Sequence, residues 1–182
     1  MAPFRAGDIV EYGKLPKPMK RLYDIASALT RRELGYTFGS CDPARGGMDC
    51  SGTIHHTLVA AGVKAPRSSY DQYVWAREAG TLREIPGRVP SLADPALRDL
   101  RPGNLLFWEG TYETGKRQPP ISHVMIFLGT LKSDGQPVLF GASSGRSFRG
   151  RRIHGVSAFD FHLPGPKSSS RLVANARVPG LE

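Results

Sequence analysis

Cysteine is scarce in this chain: Cys41 and Cys50 are the only two among 182 residues. At most one disulfide can form, which excludes a small scaffold held by several crosslinks. Long apolar runs are missing as well. No stretch approaches the roughly 18 consecutive apolar residues of a membrane-spanning helix, and Met1 to Glu11 lacks the apolar core of a secretory signal. A soluble chain is expected, either free of a signal or trimmed of one. The close Cys and His pairs of a zinc site are absent, and no Walker loop or G-x-G-x-x-G follows a strand-like run. No metal and no cofactor are therefore expected. Internal repeats and low-complexity runs are absent too, which excludes a solenoid or a fibre.

What is plentiful points to an ordinary domain with many turns. Glycine (21) and proline (15) make up about a fifth of the chain, against roughly 12% in average usage. With 40% apolar residues, the chain suits a single domain spanning 1–182. The net charge of +9 predicts attraction to anionic polymers such as nucleic acid, anionic lipid or bacterial cell wall, without choosing among them.

From Pro18 to about Leu34, Met19, Leu22, Tyr23, Ala26 and Leu29 recur at helical spacing. Gly35 ends that helix, and the turn formers between Tyr36 and Gly47 predict an ordered loop. A second helix begins near Cys50, with Ile54, Leu58 and Ala61 inward and Gly62 as its stop. A third short helix follows Pro66, with Ser69 and Gln72 fitting a capping box. Further on, the segments Asn104 to Trp108, Ile121 to Leu128, Val138 to Ser143, Ile153 to Phe161 and Arg171 to Arg177 read as strands of one antiparallel sheet. Helices first and strands afterwards predict an α+β domain, with the N-terminal helices packed on a central antiparallel sheet. The proline-rich stretch Gly80 to Pro102 is expected to wrap the surface.

The chemistry concentrates at Gly46-Gly47-Met48-Asp49-Cys50-Ser51-Gly52, where a glycine turn delivers a cysteine to a helix start. Free N–H groups and the positive end of the helix favour a thiolate there, the nucleophilic form of cysteine. A thiolate needs a base, and histidine has a pKa near neutrality. His55 and His56 lie more than a helical turn beyond Cys50 and read as packing or surface residues. His123 opens the run Val124 to Leu128, a rigid strand start from which to present an imidazole, and is the candidate base. Asp49 is well placed as a helix N-cap. Arg146, Arg149, Arg151 and Arg152 form a basic cluster around Phe148, which reads as a solvated hairpin or loop; no nucleic-acid module surrounds it.

The stretches Tyr36-Thr37-Phe38-Gly39, Gly47 to Gly52, Pro66 to Gln72, Leu100 to Phe107 and Ser122 to Gly129 closely resemble the NlpC-type cysteine peptidases of bacterial cell walls. The resemblance implies a papain-like fold in which a helix carrying the cysteine packs on a sheet carrying the histidine. It implies a thiol protease cutting peptidoglycan stem peptides, typically between γ-D-glutamate and the diamino acid that follows. Cys50 would attack, His123 would move the proton, and backbone N–H groups would hold the oxyanion. Tyr36, Asp49 and Ser51 would line the substrate cleft, with Arg67 and Ser69 on one wall. The sequence departs from the family where a third polar residue usually orients the imidazole, because Gly141 stands there. Ser143 on the same face or His154 on a later strand are the substitutes on offer.

The implied partner is peptidoglycan or a muropeptide, with no nucleic acid and no membrane span. The implied location is the periplasm or outside the cell. An immunity protein would join the partners if the chain were an effector. Two other readings stay open: acyl or amide transfer on the same scaffold, and a non-catalytic wall-binding module.

Overall fold

A computed structural model describes residues 1–181; residue 182, included in the expected domain, lies outside the described residues. The first helix, α1 (Lys17–Thr30), starts behind Pro16 with a proline in its first turn, where the missing N–H costs nothing. It buries Leu22, Tyr23, Ala26 and Leu29. It ends earlier than the spacing predicts, because residues 31–33 turn and Glu33 takes a left-handed conformation. The expected loop holds a short parallel pairing between β1 (Gly35–Tyr36) and β2 (Gly47–Met48). Only glycine suits position 47, since a Cβ there would lie 2.6 Å from the Gly35 carbonyl oxygen.

The second helix, α2 (Cys50–Ala60), buries Ile54 and Leu58 as expected, together with Thr53 and Thr57. Their hydroxyls donate to the carbonyls one turn back, Asp49 at 2.8 Å and Thr53 at 2.7 Å, so both threonines are buried without an unmet polar group. The third helix, α3 (Ser69–Glu78), is capped by Ser68 rather than by Ser69. The Ser68 hydroxyl accepts the Asp71 N–H at 3.0 Å and donates to its carboxylate at 2.6 Å. Ser69 sits one residue inside and is buried, while Gln72 turns into the core instead of reaching back to the cap.

Six strands form an antiparallel sheet in the order β3-β10-β4-β5-β6-β9, comprising β3 (Leu82–Glu84), β4 (Leu105–Glu109), β5 (Ile121–Thr130), β6 (Pro137–Ser143), β9 (Gly155–Asp160) and β10 (Arg171–Ala176). Between β6 and β9 a hairpin of β7 (Ser147–Phe148) and β8 (Arg151–Arg152) carries the basic cluster. Arg149 at its turn is held by Asp134 and Asp160, so this charge belongs to the fold. The fold class is α+β, with the main core between helices and sheet drawing on Ile54, Leu58, Phe107, Val124 and Ile126.

A smaller core lies on the other side of the sheet, formed by Leu106, Trp108, Met125, Leu139 and Phe159. Here the stretch Gly80 to Pro102 departs from the expected surface wrap. It opens with the edge strand β3 and buries Ile85, Val89 and Leu97 against this second core. A sheet with two apolar faces needs both covered, and this segment covers the one the helices leave.

One position tests how tightly α2 is seated. A Cβ at Gly52 would overlap the Ser40 carbonyl oxygen, itself the acceptor for the Asp49 N–H. Gly52→Ala is expected to destabilise the fold by about 1–3 kcal/mol through overpacking. Urea denaturation should show a lower midpoint, and an unchanged midpoint would contradict this seating.

Candidate active site

Asp49 organises the start of α2. Its Oδ1 accepts the Gly52 N–H at 2.6 Å, and its Oδ2 accepts the Gly39 N–H at 2.7 Å and Arg67 at 2.8 Å. Arg67 also donates to the Ser51 hydroxyl at 3.0 Å. The N-cap role therefore stands, and the carboxylate is already satisfied from within the protein. Gln72 is a residue that sequence reasoning spent on a cap. Its buried amide donates to the Ser51 carbonyl at 3.1 Å and the Pro66 carbonyl at 2.9 Å, tying α3 to the first turn of α2.

Cys50 is the first residue of α2 and only 6% exposed. The backbone N–H groups of Ser51 and Val124 lie near its sulfur and favour the thiolate, and the Tyr36 hydroxyl is a further polar neighbour. Val124 directly follows His123, so the sulfur sits against the strand that carries the histidine. It does so where the sheet opens, since the β5–β6 pairing ends at Ile126↔Phe140.

The expectation that the helix start ionises the sulfur is corrected here. Burial, followed by the Asp49 carboxylate, pushes the thiol up to about 11, and the two N–H groups and Arg67 offset only part of that. The helix terminus does supply donors; desolvation outweighs them.

His123 lies opposite Trp108 across β4 and β5, with ring centroids 5.6 Å apart and planes tilted by 59°. It is 8% exposed. Burial, followed by the charge of Arg146, lowers its imidazole to about 3. Burial therefore favours the neutral form of each group, the thiol of Cys50 and the imidazole of His123.

Among the described residues nothing hydrogen-bonds to His123 Nε2, which is buried. Gly141 offers no side chain, and a Cβ there would meet Met125 Cε at 3.1 Å, so methionine takes up the adjoining room. Ser143 lines a cavity with His123, but its Oγ accepts the Gly145 and Arg146 N–H groups, both at 3.2 Å. His154 is exposed and meets the edge of the Tyr36 ring at 5.9 Å. Neither bonds to Nε2; the tilted Trp108 ring is the aromatic neighbour of the imidazole.

Tyr36, Asp49, Ser51, Arg67 and Ser69 all line one cavity of about 280 Å³ with Cys50. Tyr36, Phe38 and Tyr112 are shared with a neighbouring hollow of about 330 Å³ that reaches His123 and Ser143. Phe38, 75% exposed, meets Tyr112 edge-on at 6.3 Å and forms the rim of both. His55 is occupied elsewhere, its Nδ1 2.9 Å from the Ala65 carbonyl. Among the described residues no group of three or more His, Cys, Asp or Glu is gathered to hold a metal ion, and both cysteines are free. Among the described residues no helix is long and apolar enough to cross a membrane.

Comparison with known proteins gives this arrangement a context. The profile of the NlpC/P60 family matches residues 33–144. A bifunctional muramidase/DL-endopeptidase, CwlT of Bacillus subtilis, is 29% identical over 118 residues, covering 62% of this chain and 30% of that protein. A gamma-DL-glutamyl hydrolase of the same organism is 28% identical over 95 residues, covering 52% of this chain and 18% of that protein. The chain thus spans less than a third of the length of either relative. Among solved structures, a lipoprotein-like NLP/P60-family protein of Staphylococcus aureus shares the fold with a TM-score of 0.57 at 22% identity. The match covers 89% of this chain and 41% of that one.

The electrostatics of the sulfur yield a direct test. Asp49 raises the thiol, so Asp49→Asn removes an opposing charge and leaves Arg67 free to stabilise a thiolate. Alkylation of Cys50 by iodoacetamide should rise with pH toward about 11 in the wild type, and its inflection should move to lower pH in the variant. An unchanged or higher inflection would contradict the assigned cause.

Proposed function

Because the chain belongs to the NlpC/P60 family, we propose that it is a cysteine peptidase hydrolysing peptidoglycan stem peptides at the bond between γ-D-glutamate and the following diamino acid. The observation that supports this reading is the Cys50 sulfur set near the N–H of Val124, the residue after His123, with Cys50 and His123 lining two adjoining hollows that share Tyr36, Phe38 and Tyr112. The names of the two Bacillus relatives, a DL-endopeptidase and a gamma-DL-glutamyl hydrolase, support both substrate and bond. Residues 1–182 would act as one domain, secreted or periplasmic, where its wall substrate lies. The excess of positive charge would retain it on that polymer. An immunity protein enters only if the chain is delivered into a rival cell.

The resting charges set the mechanism. With the thiol at about 11 and the imidazole at about 3, a preformed thiolate–imidazolium pair is disfavoured. The neutral imidazole is nonetheless the form that accepts a proton. Proton transfer from Cys50 to His123 therefore accompanies formation of the sulfur–carbon bond. The carbonyl oxygen becomes an oxyanion facing the first-turn N–H groups of α2 that Asp49 does not cap. As the tetrahedral intermediate collapses, the C–N bond breaks and His123 returns its proton to the departing amine. Water, activated by the same imidazole, then cleaves the thioester and restores the thiol.

A second reading, a wall-binding module without turnover, draws on the unpartnered Nε2 and the un-ionised sulfur. Digestion of defined muropeptides, read by mass spectrometry, separates the two. The expected products are fragments ending in γ-D-glutamate, with turnover abolished in Cys50→Ala and lowered about 10²–10⁴-fold in His123→Ala. Stem peptides left intact by the wild type would reject the peptidase. Products joined to an added amine would indicate acyl transfer instead.

A further inference from the structure

Beyond His123 the groove continues into a third cavity of about 390 Å³, sharing His123, Ser143, Ser144 and Thr111 with the hollow before it. Arg146 lies in this cavity, its guanidinium over the Trp108 ring with Cζ 4.4 Å from the centroid. Among the described residues the ion pairs engage Arg67, Arg98, Arg149 and Arg171, and none engages Arg146. Burial lowers its pKa to about 10, which still leaves it charged at neutral pH. Arg146 is half-buried, and a partly desolvated cation without a counter-charge is more stable when something supplies one. Hydroxyls of Thr111, Ser144, Ser169 and Ser170 line the cavity, and no aspartate or glutamate does. The presenting turn is fixed in advance, because the Ser143 hydroxyl holds the N–H groups of both Gly145 and Arg146.

We infer that this cavity is a carboxylate subsite for the residue on the leaving side of the scissile bond, anchored by the Arg146 guanidinium. The assignment to the leaving side rests on the peptidase reading: His123 must protonate the departing amine, so that part of the substrate passes over the His123 end of the groove. A diaminopimelate there keeps a free side-chain carboxylate, the counter-charge that the cavity lacks. A guanidinium offers it a planar, two-pronged donor set, and the Ser144 hydroxyl in the same cavity offers a further donor.

The docked carboxylate also has a consequence for the reaction. The positive charge of Arg146 opposes protonation of His123, and a bound anion cancels it at the moment when the imidazole must take the thiol proton. The correct leaving residue thus makes the base more effective, and Arg146 acts as a specificity-determining residue.

The probe is free diaminopimelate compared with its diamide, titrated against the intact protein while the Trp108 indole signal is followed by NMR. The wild type should bind the dicarboxylate at least 10-fold more tightly than the diamide. Arg146→Gln should bring that ratio within about twofold of unity, and Arg146→Lys should retain part of the preference. Equal binding of both probes by the wild type, binding of neither, or a full preference in Arg146→Gln would overturn the inference. Muropeptide digestion run in parallel reports on the peptidase reading separately. A carboxylate preference without digestion would keep the anion site and overturn its place on the leaving side.

Discussion

The sulfur of Cys50 sits against the backbone N–H of Val124, and this proximity joins the helical half of the chain to the sheet. Everything else at the groove is arranged to make it achievable. Asp49 caps α2 and fixes its first turn against Gly39 and Arg67, while Gln72 locks α3 onto the same turn. The β5–β6 pairing stops short of His123 and leaves a place for the sulfur. Without that opening, a sheet satisfies its own backbone groups and offers nothing to a nucleophile.

Close packing at this junction has an electrostatic effect. A sulfur wedged against a strand is desolvated, and so is an imidazole packed at a tilt against Trp108. Desolvation favours the neutral form of each, moving the thiol up and the imidazole down. Both groups therefore rest neutral, and under the proposed hydrolysis the proton moves during attack. Asp49 and Arg146 set the local charge from opposite ends: the carboxylate resists a thiolate and the guanidinium resists an imidazolium. Arg67 offsets the first in part, and a substrate carboxylate is suited to offset the second.

Much of this architecture was legible in the amino-acid order. The Asp-Cys-Ser-Gly start of α2 and the run from His123 to Leu128 carry strong local signals, an N-cap before a helix and an apolar strand. Their family resemblance reaches the same fold. β3 escaped notice because Leu82 to Glu84 is short, largely exposed and gives no alternation. Gln72 was spent on a capping box, since nothing local shows that its amide is buried. Arg146 was read as one of four arginines in a basic cluster. Only the fold separates it from Arg149, which is neutralised by two aspartates, and places it on Trp108. The charge state of Cys50 failed for a similar reason: a helix start is visible in sequence, whereas the strand that buries the sulfur comes from more than seventy residues away.

The central claim is that Cys50 and His123 form an uncharged pair in the unliganded groove. Nitrogen-15 NMR of the histidine imidazoles across pH, with His123 assigned by comparison with His123→Gln, reads it directly. The account predicts that His123 stays neutral through physiological pH and takes up a proton only near pH 3. An imidazole found protonated at pH 7 would show a thiolate–imidazolium pair and contradict it.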